Sequence, residues 1–313
     1  MLASALLYGE PMSRVLPIAV VQDSPRLSTE PPSRFGESVE TLLKAFPQTR
    51  LLVYPELHLF GDAPTHAELN AHAEALDGPR IKALAQLAGD LGVWLVPGSV
   101  CERGPAGQLF NTAVALSPEG QLAAFYRKVF PWRPYEPFDP GDRFVTFDLA
   151  GIGTAGFSIC YDAWFPEVTR HLAWMGAEVV LNLVKTTTCD RAQEVILARA
   201  NAIMNQVFVV SVNCAGPTGT GQSLIVDPEG LVRASASGAD RTVLTDVLDL
   251  EHVARVRQYG TAGLTRPWQQ FQPGDLPLAL PLYGGQITPG RWTAQRERLP
   301  QEVTEGEIEL GRS

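Results

Sequence analysis

Cys160 closes the apolar run GTAGFSIC and is followed by YDAWFPE, which opens a helical stretch. A thiol at a strand-to-helix turn is presented at a sheet edge, near backbone N–H groups that favour its thiolate. Cys160 is therefore a candidate nucleophile, whereas Cys101, Cys189 and Cys214 read as inert thiols. Such a nucleophile needs a base and groups that hold an oxyanion. Of the histidines His58, His66, His72, His171 and His252, only His58 closely follows an apolar run, and none lies in a histidine–nucleophile motif. A carboxylate is the other option. Glu56 ends LLVYPE, where an ionised side chain is costly unless it is paired or functional. Burial there would raise its pKa towards a value useful for proton transfer. Lys128 in FYRKVFPW could pair with a carboxylate and stabilise negative charge. Glu136 follows in the proline-rich loop PWRPYEPFDPGD. Taken singly, each of these also fits a salt bridge at a rim.

The elements that must position these groups are legible as short apolar runs. Residues 16–22, 50–55 and 93–98 are rich in Val, Ile and Leu and read as buried strands. Between them, 34–46 and 68–91 carry apolar residues at helical spacing, with Leu76, Ile81, Leu84, Leu87 and Leu91 on one face of the second. Residues 111–116 and 121–126 flank SPEG and predict a hairpin. The second half repeats the order. Strands over 153–159, 177–184 and 207–213 alternate with helices over 167–175 and 191–206, and a hairpin crosses DPEG at 227–230. The two turns suggest one plan used twice, although both are common turns. The expected fold class is α/β: a four-layer αββα sandwich of two pseudo-symmetric halves. We expect a single domain over 1–313, with a core of about 15–260 and an extended tail, rich in Pro, Gly and Gln, over 261–313.

The motifs are more specific together than singly. YPE at Glu56, YRK at Lys128 and SICYD…FPE around Cys160 resemble the signatures of the nitrilase superfamily, the carbon–nitrogen hydrolases. FNT at Asn111, RANAIMNQVFVVSVNCAG and GQSLIVDPEG extend the resemblance over about 15–250. The resemblance implies the αββα sandwich and a Glu-Lys-Cys triad at Glu56, Lys128 and Cys160, with Glu136 as a second glutamate near the lysine. It also implies that the backbone N–H of Tyr161 helps Lys128 hold the oxyanion, and that no metal or organic cofactor is used. RKVFPWRPYEPFDPGD is similar to a stretch of aliphatic amidases and formamidases, and CYDAWFPE to N-carbamoyl-amine amidases. CYD, where true nitrilases usually have CWE, favours a small amide over a nitrile.

Composition agrees with a small-molecule enzyme. The chain has 313 residues, 45% apolar and 19% charged, in the range of a folded globule. With 34 acidic against 25 basic residues and a net charge of −9, it lacks the positive field that nucleic acid or anionic lipid would need. No run is long and apolar enough for a membrane span, and the opening MLASALLYGEPM has no basic residue before its apolar stretch, unlike a signal peptide. Four cysteines with no close pairing of the CxxC kind point to a reducing, cytoplasmic location and argue against a zinc site. Trp132, Tyr135, Phe138 and Trp164 are expected to line a narrow, largely apolar substrate slot. Lys185, after the strand 177–184, either points into that slot towards a substrate carboxylate or carbamoyl oxygen, or is a solvated surface lysine. The apolar excess of 166–175 predicts at least a homodimer. Residues 1–11 precede the first strand and are expected to be dispensable.

Overall fold

The computed structural model describes residues 14–61 and 64–276. The expectation about residues 1–11, and the tail after residue 276, fall outside the described residues.

Each half begins with parallel strands joined by helices. In the first sheet β1 (Val15–Gln22), β2 (Leu51–Val53) and β3 (Trp94–Val96) run parallel, linked by α1 (Pro32–Ala45) and by α2 (His66–His72) and α3 (Pro79–Leu91). β3 then meets β5 (Leu109–Leu116) antiparallel, and β5 also pairs with β4 (Ser99–Arg103) and β6 (Leu122–Arg127). In the second sheet β8 (Thr154–Ile159), β9 (Val179–Val184) and β10 (Phe208–Asn213) run parallel, linked by α4 (Pro166–Trp174) and α5 (Arg191–Asn205). The hairpin β11 (Leu224–Val226) and β12 (Val232–Ser235) follows. The SPEG and DPEG turns thus close equivalent hairpins, as a twice-used plan requires.

The halves exchange strands. β7 (Thr146–Asp148) follows the first hairpin in the chain, yet it pairs antiparallel with β8 on the edge of the second sheet. β13 (Thr242–Asp249) follows the second hairpin and pairs with β1 on the edge of the first, Val15 opposite Asp249 through Gln22 opposite Thr242. Neither strand was anticipated from the sequence, nor were β4 and the helix α6 (Glu251–Tyr259).

Burial follows from this stacking. Leu16, Ile18, Leu51 and Val53 of one sheet and Leu181, Leu183, Phe208 and Val210 of the other form one apolar layer between the sheets. Phe35, Val39, Ile81, Leu84 and Ala88 pack α1 and α3 on the first sheet, and Val168, Leu172, Ala198 and Ala202 pack α4 and α5 on the second. The result is the four-layer αββα sandwich. β9 and β10 are buried along their whole length, as strands covered on both faces must be.

The helical pattern of 68–91 resolves into two helices. α2 stops at His72, and Glu74 bridges to Glu102 before Pro79 begins α3. A proline is suited to the first turn of a helix, whereas inside one it removes a hydrogen bond and clashes with the preceding turn. The compact unit runs to Gln269. Residues after Gly260 do not leave its surface at once: the Trp268 ring lies 6.0 Å from that of Trp174, and Gln269 donates to the carbonyls of Arg257 and Gln258. In the separate unit that begins at Gln270, a turn closes with Asp275 N–H donating to Gln272 O at 3.0 Å.

Candidate active site

Three strand ends converge. Glu56 lies just beyond β2, Lys128 just beyond β6 and Cys160 just beyond β8. Lys128 is fully buried, and its Nζ donates to Glu56 Oε1 at 3.1 Å and to Glu136 Oε1 and Oε2 at 2.7 and 2.9 Å. Asn111 Nδ2 donates to the same Glu56 oxygen at 2.7 Å, and the Trp132 N–H donates to Glu136 Oε2 at 2.9 Å. One ammonium thus serves two carboxylates in a water-poor setting. Burial by itself would lower the Lys128 pKa, but Glu56, Cys160, Glu136 and Asp162 outweigh it and hold the ammonium charged, well above the usual lysine range. Burial, with the charge of Glu56, raises the pKa of Glu136 against the pull of Lys128.

The backbone at two of these strand ends has a left-handed twist. Leu57, directly after Glu56, has φ of 48°, and its N–H donates to Ser99 Oγ at 2.9 Å. Cys160 has φ of 46° and begins a short 3-10 turn, Cys160–Trp164. A non-glycine residue in this region is uncommon and costs free energy that surrounding bonds must offset. For Cys160 the offset comes from Asp162. Its buried carboxylate accepts from Ile159 N–H and Phe130 N–H at 2.9 Å each and from Tyr126 Oη at 2.8 Å. Burial raises the Asp162 pKa to about 6 despite those bonds. Gly98 secures the other corner. Its φ is 95°, and a Cβ there would lie 1.9 Å from the Pro55 carbonyl oxygen.

Cys160 is partly exposed on a cleft of about 370 Å³ shared with Trp132, Glu136, Tyr161, Lys185 and the 186–188 threonines. Burial and the charge of Glu56 push its thiol well above the usual range, with Lys128 pulling the other way. A hollow of similar size near α1, lined by Arg26, Phe35 and Arg80 among others, contains none of these groups.

The expected slot residues scatter. Trp132 and Tyr161 line the cleft, as does Lys185, whose Nζ donates to Gly61 O at 2.6 Å. Tyr135 is 70% exposed and lies on the Trp132 ring, 4.4 Å between centroids, outside the cleft wall. Trp164 is packed beside Tyr161, 6.1 Å between centroids, and is also absent from the wall. Phe138 is a correction: it is buried in the core between the first sheet and its helices. The lining surface of the cleft is mostly apolar, with Thr186, Thr187, Thr188, Asp190 and Glu194 along one side of it. His58 is fully buried between Tyr54 and Phe35, and among the described residues neither ring nitrogen meets a hydrogen-bond partner.

The residues that sequence reasoning missed are on α5. Its buried face reads Arg191, Glu194, Ala198, Asn201, Ala202, Asn205, polar where it approaches the cleft. An Arg and a Glu three apart look like a solvated helix face in a sequence. Here Glu194 accepts from Thr186 Oγ1 at 2.8 Å and pairs with Arg191 at 3.1 Å.

The carbon–nitrogen hydrolase family model matches residues 18–258, which span every strand end described above. This chain belongs to the carbon–nitrogen hydrolase family. It is 33% identical over 218 residues to a formamidase of Pseudomonas syringae pv. tomato, covering 67% of this chain and 63% of that protein. A formamidase of Bradyrhizobium sp. is 31% identical over 215 residues, with 66% and 63% covered. The chain therefore spans just under two thirds of the length of these curated relatives. Among solved structures, Nit3 of Saccharomyces cerevisiae, a member of the nitrilase superfamily, superposes with a TM-score of 0.72 at 27% identity, covering 82% of this chain and 97% of that one. A cysteine-to-alanine mutant of the amidase from Nesterenkonia sp. AN1, in complex with butyramide, gives 0.66 at 27% identity, covering 79% and 95%.

Proposed function

We propose that this protein hydrolyses a non-peptide C–N bond in a small amide through a thioester on Cys160. The observation that carries the reading is the buried cluster of Glu56, Lys128 and Glu136, bonded to one another beside a cleft that also holds the Cys160 thiol. Glu56 takes the thiol proton as sulfur attacks the amide carbon. Lys128 Nζ and the Tyr161 N–H hold the oxyanion of the tetrahedral intermediate. The C–N bond then breaks, Glu56 gives its proton to the departing ammonia or amine, and the acyl group stays on sulfur. Water attacks the thioester, with Glu56 accepting its proton. Collapse releases the acid, and the proton returns to the thiolate. Glu136 holds the ammonium in place between its two carboxylate partners. The likeness to formamidases and to an amidase that binds butyramide supports a small aliphatic amide.

Ammonia release from a panel of short amides, N-carbamoyl compounds and nitriles tests the reading. We expect turnover on at least one amide, abolished in Cys160→Ala. Turnover in a folded Cys160→Ala protein, or alkylation of Cys160 with no turnover on any amide, overturns it. Lys185 on the cleft wall favours a second reading of the substrate, one bearing a carboxylate or carbamoyl group. In that case Lys185→Ala raises KM for such substrates and leaves neutral amides unchanged.

We further propose that the protein assembles as a homodimer through α4. Val168 and Leu172 are buried within the chain, but Trp174 is 77% exposed and Met175 half exposed. A monomer mass by light scattering at micromolar concentration would exclude this. Among the described residues no helix is long and apolar enough to cross a membrane.

A further inference from the structure

Outside the triad, the cleft contains a second set of buried charged groups whose geometry points at the same sulfur. Thr186 Oγ1 lies 3.8 Å from Cys160 Sγ, within the range of a weak sulfur hydrogen bond. The same hydroxyl reaches both oxygens of Glu194, at 2.9 and 2.8 Å. An ionised carboxylate can only accept, so the hydroxyl proton is committed to Glu194 and only oxygen lone pairs face the sulfur. Thr186 can then accept a hydrogen bond from the thiol S–H but cannot donate one to a thiolate.

Everything around this hydroxyl is fixed. The Thr186 N–H donates to Asn213 Oδ1 at 2.9 Å, and its carbonyl accepts from Thr220 Oγ1 at 3.0 Å. Glu194 is held by Arg191, itself almost fully buried. Arg191 also donates to Gly221 O at 3.1 Å, Gln222 O at 2.9 Å and Ser211 Oγ at 3.1 Å. A buried Arg191–Glu194 pair on one helix turn, its guanidinium making four hydrogen bonds, is a costly arrangement for packing alone, since apolar residues would fill the same space.

We propose that Thr186 and Glu194 are a positioning pair that aims the Cys160 thiol and keeps it protonated until the base removes its proton. The inference rests on Cys160 being the nucleophile. The charged groups that act on this sulfur are Glu56, Lys128 and Glu136 from the first half and Glu194 and Arg191 from α5, while Asp162 in its own turn acts on Lys128. Glu194 opposes the thiolate and Arg191 favours it. Removing the Glu194 charge therefore leaves Arg191 unopposed and frees the hydroxyl to turn towards sulfur. Both changes favour the thiolate.

The test is the pH profile of iodoacetamide alkylation, read on the Cys160 peptide by mass spectrometry so that the exposed Cys189 does not contribute. In Glu194→Gln the midpoint for Cys160 falls by about one pH unit or more, the size expected for one nearby charge in a partly buried site. Thr186→Val leaves Glu194 and Arg191 paired and so remains foldable. It lowers kcat about tenfold or more with little change in KM and no downward shift of the midpoint, and Thr186→Ser, which restores the hydroxyl, recovers most of the loss. An unshifted profile in folded Glu194→Gln overturns the proposal. So does wild-type kcat in Thr186→Val, or an equal loss in Val and Ser. If Glu194→Gln does not fold, the Val and Ser pair decides alone. Because alkylation needs no turnover, these outcomes are separate from the Cys160→Ala result, which bears on the nucleophile itself.

Discussion

At the level of single residues, Lys128 and Cys160 do different kinds of work and should fail differently. Cys160→Ala removes a reacting atom from a partly exposed position and should abolish turnover with little change in Tm. Lys128→Met leaves Glu56 and Glu136 buried without their cation, and removing one partner of a buried pair costs about 3–5 kcal/mol. That variant should lose both activity and several degrees of Tm, measured by thermal unfolding beside the assay. Equal stability of the two variants would mean the carboxylates are less dependent on the ammonium than the geometry says. His58 gives a pH prediction. Burial lowers its pKa from 6.5 to about 3, so the folded protein keeps it neutral while the unfolded chain takes up a proton. Below about pH 6.5 the unfolded state therefore binds more protons, and stability falls as pH drops towards 3. Asp162 works in the opposite sense between its raised value of about 6 and the ordinary 3.8, because there the folded state protonates first. His58→Leu should accordingly unfold at a lower urea midpoint change between pH 6.5 and 4.5 than wild type, and an unchanged slope would exclude His58 as a source of acid sensitivity.

Among the elements, the corner that presents Glu56 depends on Gly98. Its positive φ disfavours any side chain, and a Cβ would collide with the Pro55 carbonyl. Gly98→Ala must displace the residue next to the base, so we expect a loss of about 3 kcal/mol or more together with loss of activity. Wild-type urea unfolding in that variant would show that the corner can move freely. The same scale shows what the sequence could and could not tell. Glu56, Lys128 and Cys160 were legible because each follows an apolar run at a strand end, where a polar side chain stands out. Elements of three residues such as β7 carry too little periodicity to be seen. The break between α2 and α3 was legible in Pro79, but the apolar spacing on either side masked it. Phe138 was misread because a loop aromatic near a site looks the same in sequence whether it faces the cleft or the core. Thr186 and Glu194 reach the Cys160 thiol only through tertiary folding, and neither their types nor their spacing marks them as its neighbours.

For the whole molecule, the exchanged strands set an order in time. β1 is an interior strand of its finished sheet, one in from the edge, and its antiparallel neighbour there is β13, Val15 facing Asp249. A chain emerging from the ribosome amino end first must hold β1, nearly all of it buried in the product, with one side unpaired until almost the whole core has been made. An unpaired apolar strand is a template for another chain, and contacts so distant in sequence are slow to form. Chains ended before residue 242 should therefore associate and precipitate, whereas chains ended after Gln269 should stay soluble, a difference read by sedimentation of matched truncations. Among the described residues, the last strand to be synthesised is thus what protects the first.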